Sequence, residues 1–256
     1  MTLSKAITPM PSAKQLYVGA VRAVHPVARA TGLLSWLQSS AKKHRLAHWL
    51  RSLFAIHDID GLIDLDVPWW TYGAIDETEA FLASRPNARV FEYGSGASTV
   101  WLAKRAGTVV SVEHDAGWHS LVHTRLAEAN GATSLSHALI EPSKAQAETD
   151  PQYLSVKPGH IGLSFENYSK SILDQDEAFD LIVIDGRARA ACLEHAVTRL
   201  KPNGLIVFDN SRRKRYRQSI AGSGLVVRHL AGLTPSLPYP DETTLLTFPL
   251  KSAAKT

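Results

Sequence analysis

Cysteine is almost missing from this 256-residue chain: Cys192 stands alone, so neither an internal disulfide nor a cysteine-rich metal site can form. A small disulfide-stapled scaffold is excluded, and the thiol content suits a reducing compartment. No apolar run approaches the roughly 20 residues that span a bilayer, and the first residues lack the compact apolar segment of a secretory signal. A cytoplasmic location is the expectation. Acidic residues are missing from the start of the chain: none precedes Asp58, while Lys5, Lys14, Arg22, Arg29, Lys42, Lys43, Arg45 and Arg51 give that segment +8. The whole-chain charge of +4 less this +8 leaves residues 58–256 at −4. The basic character therefore belongs to an N-terminal extension, and a general nucleic-acid-binding character is not supported; no DNA partner is expected. Internal repeats and low-complexity tracts are also lacking.

What is present divides at about residue 70. Residues 1–11 read as loose. Helical spacing follows from Ala13, with Leu16, Tyr17, Ala20 and Val21 on one face, an interruption at Pro26, and Leu33, Leu34, Trp36 and Leu37 beyond it. Leu46, Trp49, Leu50, Leu53 and Phe54 predict a further helix from Ala41 to Ile56. This basic extension, residues 1–70, reads first as a helical cap. Its residues 1–57 alternatively form an arm for a membrane surface or a protein partner, and an acid-poor, arginine-bearing start also has the character of an organellar transit peptide. A loop from Asp58 to Tyr72 leads into residues 71–256, where Asp76 and Glu79 form a capping box for the next helix.

The second region is organised around Val90-Phe91-Glu92-Tyr93-Gly94-Ser95-Gly96-Ala97-Ser98-Thr99, a short apolar strand that breaks into a glycine turn and restarts as a helix. Gly94 and Gly96 let the backbone lie against a ligand, with the N–H groups that open the helix pointing at it. A dinucleotide fingerprint needs a third glycine where Thr99 stands, and a pyrophosphate would be repelled by Glu92. A cationic ligand fits this turn better. A second strand is predicted from Thr108 to Glu113, then a helix from Ala116 to Ala129 with Asp115 as its N-terminal cap and Asn130-Gly131 as its stop, and a mixed third strand from Thr133 to Ile140. The polar connection Glu141 to Asp176 carries one short helix near Phe165 to Leu173, and its length marks it as functional or mobile. Phe179 to Asp185, Leu205 to Phe208, Leu225 to Leu230 and Thr243 to Phe248 read as further strands, with a helix from Ala188 to Leu200. Alternating strands and helices predict an α/β fold with a mostly parallel, doubly wound sheet, its ligands at the carboxyl edge. Glu92, Glu113, Asp185 and Asp209 each close an apolar strand, so four carboxylates are expected at one crevice.

Together these residues resemble the class I S-adenosylmethionine-dependent methyltransferases. Glu92 to Gly96 is similar to that family's first motif, whose glycine turn lies under the methionine part of the cofactor. Glu113 matches the acid that accepts hydrogen bonds from the ribose hydroxyls, Phe179 to Asp185 matches the fourth-strand motif, and Leu200 to Val207 the loop into the fifth strand. The resemblance covers about Thr71 to Phe248. It implies a Rossmann-like sheet carrying an N-terminal helical extension, S-adenosyl-L-methionine as cofactor, and Glu92, Tyr93, Gly94, Ser95, Gly96, Ser98, Thr99, Glu113, His114 and Asp185 as cofactor-binding residues. A small-molecule acceptor methylated at oxygen is the reading for the substrate, with Asp185 and Asp209 as catalytic candidates.

Asp185, Asp209 and Asn210 also invite comparison with metal-dependent catechol and caffeoyl-coenzyme-A type O-methyltransferases, in which Mg²⁺ sits on two such strand ends. Mg²⁺ is disfavoured because Ala188 stands where the catechol enzymes carry a lysine. Arg187 and Arg189 beside it, and the run Arg212, Arg213, Lys214, Arg215 and Arg217, are suited to holding an acidic group. An RNA acceptor is disfavoured for want of an RNA-reading motif. His160 and His195 read as surface or capping residues and Cys192 as core. Trp69, Trp70, Tyr72 and Trp118 are aromatic candidates for packing on adenine or acceptor, and Pro235 to Pro240 for a lid. Two other readings stay open: a catalytically silent binding protein acting through its N-terminal arm, and a nicotinamide-dependent oxidoreductase, against which Thr99 argues.

Overall fold

The computed structural model describes residues 13–56, 58–128 and 133–249. Three helices open it: α1 (Ala13–Ala30), α2 (Leu33–Ala41) and α3 (Arg45–Ser52). Pro26 does not interrupt α1, which runs past it to Ala30; a proline forgoes one intrahelical hydrogen bond without forbidding helical φ. The break falls instead at Gly32, whose φ of 75° lies in the left-handed region. The helix expected from Ala41 to Ile56 is shorter, ending in a 3₁₀ turn at Leu53–Ala55. A helix, α4 (Ile59–Asp64), replaces the loop expected after Asp58, because the Asp58 carboxylate caps it by accepting from the Asp60 N–H.

Helix α5 (Tyr72–Ala83) begins a turn before the capping box read at Asp76. Thr71 is tied down by tertiary bonds, its N–H donating to Thr243 Oγ1 and its hydroxyl to the Leu230 carbonyl, while Asp76 pairs with Arg45 on α3. Then come β1 (Arg89–Tyr93), α6 (Ala97–Ala103), β2 (Thr108–Glu113), α7 (Ala116–Glu128) and β3 (Ser134–Leu139). Asp115 accepts from the Trp118 N–H at 2.8 Å, the N-terminal cap expected of it; the Asn130-Gly131 stop lies outside the described residues. The long connection carries a two-stranded hairpin, β4 (Ser143–Lys144) with β5 (Leu163–Ser164), and α8 (Glu166–Lys170). The chain closes with β6 (Phe179–Ile184), α9 (Arg189–Arg199), β7 (Leu200–Asp209), α10 (Arg217–Ala221), β8 (Val226–Gly232) and β9 (Asp241–Thr247).

Seven strands form one sheet in the order β3-β2-β1-β6-β7-β9-β8. The first five run parallel and β9 is antiparallel to both of its neighbours. Alternate side chains feed two cores, one on each face. Val90, Val109, Leu181, Val183, Val207 and Leu245 meet α4, α5, α6 and α7, with Trp70 and Trp101 between them. Phe91, Tyr93, Val110, Ile182, Ile184 and Phe208 meet α8, α9 and α10. The first core begins at Ala55 and includes Ile59, Leu62 and Val67, so the tail of the predicted extension packs with the sheet. Strand order reverses between β1 and β6, which places a crevice at their carboxyl ends.

Candidate functional site

Gly94 is set by close packing at that crevice. Its φ is +93°, and a Cβ there would stand 2.8 Å from the backbone of Gly186 at the end of β6, so the tips of β1 and β6 approach as only glycine allows. Gly96 differs. Its φ of 174° is ordinary extended backbone, and a Cβ would meet nothing nearer than 3.9 Å. The protein leaves this space open, and it opens on a cavity of about 670 Å³, within the usual range for small-molecule sites. Gly94, Ser95, Gly96 and Ser98 form its floor, Glu113, His114 and Trp118 one side, and Asp185, Gly186 and Arg187 the other.

Glu113 is 2 % exposed and richly supported. One carboxylate oxygen accepts from the Ser95 N–H (3.1 Å) and hydroxyl, the other from the N–H groups of His114 (2.7 Å) and Asp115 (2.9 Å). Burial alone would raise its pKa, but the neighbouring His114 ring, 2.6 Å away, and the two N–H donors outweigh it and hold the group below the usual glutamate value. It is an anion that lines the cavity.

Glu92, Tyr93 and Thr99 do not line the cavity. Glu92 is fully buried and accepts three hydroxyl hydrogen bonds, from Ser98 (2.5 Å), Thr99 (2.6 Å) and Ser111 (2.6 Å). The Thr99 hydroxyl also accepts from the Gly96 N–H. The carboxylate expected to edge the ligand instead ties the glycine turn to β2 and α6 from beneath, and burial pushes its pKa up to about 7. Tyr93 points to the opposite core, donating to the Ser169 carbonyl.

Asp209 corrects a second expectation: it is 3 % exposed and lies behind Asp185. Between them runs Arg189, itself 4 % exposed, which donates to the Asp185 carboxylate at 2.7 Å and to the main-chain carbonyls of Asp185, Gly186 and Asp209. Thr243 donates to the Asp209 carboxylate. Burial and the adjacent Asp185 push the Asp209 pKa well up, while Asp185, also raised by burial, is opposed by Arg189 and Arg213. Only Asp185 reaches the cavity. This donor set does not fit Mg²⁺: Asp209 is turned inward to Arg189 and Thr243, and Asn210 is committed, donating to Asp241 and accepting from Arg213.

Several cavity residues escaped sequence reasoning. Asp58, Ile59 and Leu62 reach it from α4, and Lys157 and His160 from the long connection. Trp69 and Trp118 line it as aromatic candidates; Trp70 is instead core, packed on Trp101, and Tyr72 bonds His48 through its hydroxyl. The Trp118 indole N–H donates to the Ser95 carbonyl, which holds the ring against the turn. Of the basic run, Arg213 lines the cavity, while Arg212 and Arg217 line a separate cleft with Glu242. His195 stacks beside Tyr153, Cys192 is buried in the core, and the loop expected as a lid docks on α3 through Ser236 and Ser52.

Residues 91–211 match the family described as "Methyltransferase domain". No sequence match is found among curated proteins. The O-methyltransferase from Bacillus cereus, solved in complex with SAH, aligns with a TM-score of 0.53 at 17% identity, over 77% of this chain and 90% of that one. A methyltransferase-like protein from Silicibacter pomeroyi aligns with a TM-score of 0.45 at 22% identity, over 68% and 87%. An rRNA methylase from Streptococcus thermophilus gives 0.47 at 14%, over 68% and 96%. Residues 91–211 are thus similar to a methyltransferase domain, and the sheet has the Rossmann-like fold seen in the Bacillus cereus O-methyltransferase.

Proposed function

We propose that this protein transfers a methyl group from S-adenosyl-L-methionine to an oxygen of a small acceptor that carries an anionic group. The observation that bears most weight is the pairing of Glu113 with Gly96: a supported carboxylate, held ionised, beside a turn left open where any side chain would intrude. Vicinal hydroxyls of a ribose suit such a carboxylate, and the cationic cofactor suits a cavity edged by Glu113, Asp185 and Asp58. Trp118, Trp69, Ile59 and Leu62 supply apolar wall for a base. The cofactor supplies an electrophilic methyl carbon, and the transfer is an in-line displacement.

What remains for the protein is to align the acceptor and take its proton. Asp185 is the carboxylate at the cavity wall able to accept a hydroxyl proton, with Arg189 fixing its position and Asp209 behind it. Arg187 and Arg213, with Lys157, put positive charge on the rim. The Arg187 Nε is buried without a hydrogen-bond partner, which favours an acceptor bearing a carboxylate or phosphate.

Isothermal calorimetry with S-adenosylmethionine tests the reading. Wild type is expected to bind, and Glu113→Gln and Gly96→Ala to lose at least about tenfold in affinity, equivalent to about 1.4 kcal/mol. Because Gly96 is neither strained nor crowded, Gly96→Ala should melt with the wild type. Absence of binding in the folded wild-type protein sinks the proposal.

A further inference from the structure

Three histidines outside the cavity meet at the edge of the sheet. His119 and His123 stand one turn apart on α7, and His137 projects from the adjacent edge strand β3. Their rings are nearly parallel: His119 and His137 lie 4.1 Å apart at 21°, and His123 and His137 5.9 Å apart at 15°. One ligand nitrogen from each lies within 4.8 Å of the others. Among the described residues this is the one group of three side chains able to hold a metal ion. Both ring nitrogens of His137 are buried with no hydrogen-bond partner. Such atoms are costly to leave unsatisfied, and no function derived above uses them.

We propose that His119, His123 and His137 form a Zn²⁺ site that clamps β3 to α7. Imidazole nitrogens suit Zn²⁺, and three histidines with an open fourth position are an established ligand set for it. Zn–N bonds of about 2.0–2.1 Å place tetrahedral ligand nitrogens about 3.4 Å apart. The present spacing of 4.8 Å or less therefore closes by about 1.4 Å at most, a shift that ring rotation supplies, and His123 is exposed. His119 Nε2 sits 3.3 Å from the His137 carbonyl, the kind of contact that sets the tautomer of a ligating imidazole. Exposure of His123 also gives the ion a path from solvent. The clamp would lie one residue beyond Trp118, so it would steady the start of the helix that walls the cavity.

The test uses full-length, metal-stripped protein without a polyhistidine tag, titrated with Zn²⁺ at pH 7.5 against a chromophoric chelator. One ion per chain is expected. His123→Ala should weaken binding by more than the roughly 10- to 100-fold that loss of an outer-shell partner costs. Co²⁺ in place of Zn²⁺ should show the intense visible bands of four-coordinate Co²⁺ in wild type and lose them in His119→Gln. Added Zn²⁺ should raise the melting temperature of wild type but not of His123→Ala, whose metal-free melting should match wild type because the side chain is exposed. Equal Zn²⁺ affinity in wild type and His123→Ala, or fewer than about half an ion per chain in folded wild type, overturns the site.

Discussion

Glu92 shows how burial changes the work of one residue. Its carboxyl sits under the glycine turn with three hydroxyl donors, and burial lifts its pKa from an ordinary 4.5 to about 7. The folded protein then holds a proton that the unfolded chain releases between those values, so this group's contribution to stability is full below about pH 4.5 and is lost as pH rises through about 7. Glu92→Gln should cancel that slope. Thermal melts of ligand-free wild type and variant across pH 4.5 to 8 check it: the variant should gain relative to wild type as pH rises, and a difference independent of pH would show that Glu92 is ionised throughout. The presence of an acid before the turn was legible in the sequence. Its direction was not, because Ser111 on β2 and Thr99 on α6 reach Glu92 only once β1 and β2 pair.

At the scale of elements, the joint between β6, α9 and β7 depends on Arg189. Asp185 and Asp209 end neighbouring parallel strands, and two carboxylates at that spacing need a cation between them. Arg189, at the first position of α9, fills this place and also takes three main-chain carbonyls. Arg189→Met is expected to cost about 3–5 kcal/mol, the usual penalty for stranding a buried charge, read from chemical denaturation at pH 7. Combining it with Asp209→Asn should restore a good part of that loss; no recovery would mean that the carbonyl contacts, not the carboxylates, carry the effect. The sequence placed both acids at strand ends and the arginines beside them. Which of Arg187 and Arg189 turns inward follows from helix phase and from the left-handed backbone of Ala188 (φ 45°), a tertiary outcome at a residue with no local preference for it.

Over the whole molecule, the N-terminal helices and the α/β region are unequal partners. Among the described residues, helix α1 contributes none to either sheet core; the Tyr17 hydroxyl donates to the Leu53 carbonyl and His25 lies against Phe54. Its neighbours are anchored better: the Trp49 indole on α3 donates to the Leu237 carbonyl, and α4 is part of the cavity wall. Val24, Val27, Leu33 and Trp36 remain exposed along α1 and α2. Removing residues 1–31 should therefore lower the melting temperature by only a few degrees and leave S-adenosylmethionine affinity within about twofold. A calorimetric titration of the shortened protein checks this, and loss of binding would show that α1 shapes the cavity.

Local sequence by itself determined the alternation of strands and helices, the glycine turn after β1 and the acid that ends β2, because periodicity, glycine and strand-end carboxylates act over a few residues. It also carried the spacing of His119 and His123, one helical turn apart. Tertiary structure alone decided the rest: that Glu92 and Asp209 face inward, that α4 and the 141–176 connection complete the cavity, and that His137 arrives beside α7. Those outcomes depend on contacts across 18 or more residues, such as Ser111 with Glu92 through their neighbouring strands, or His137 with His119, which no local pattern specifies.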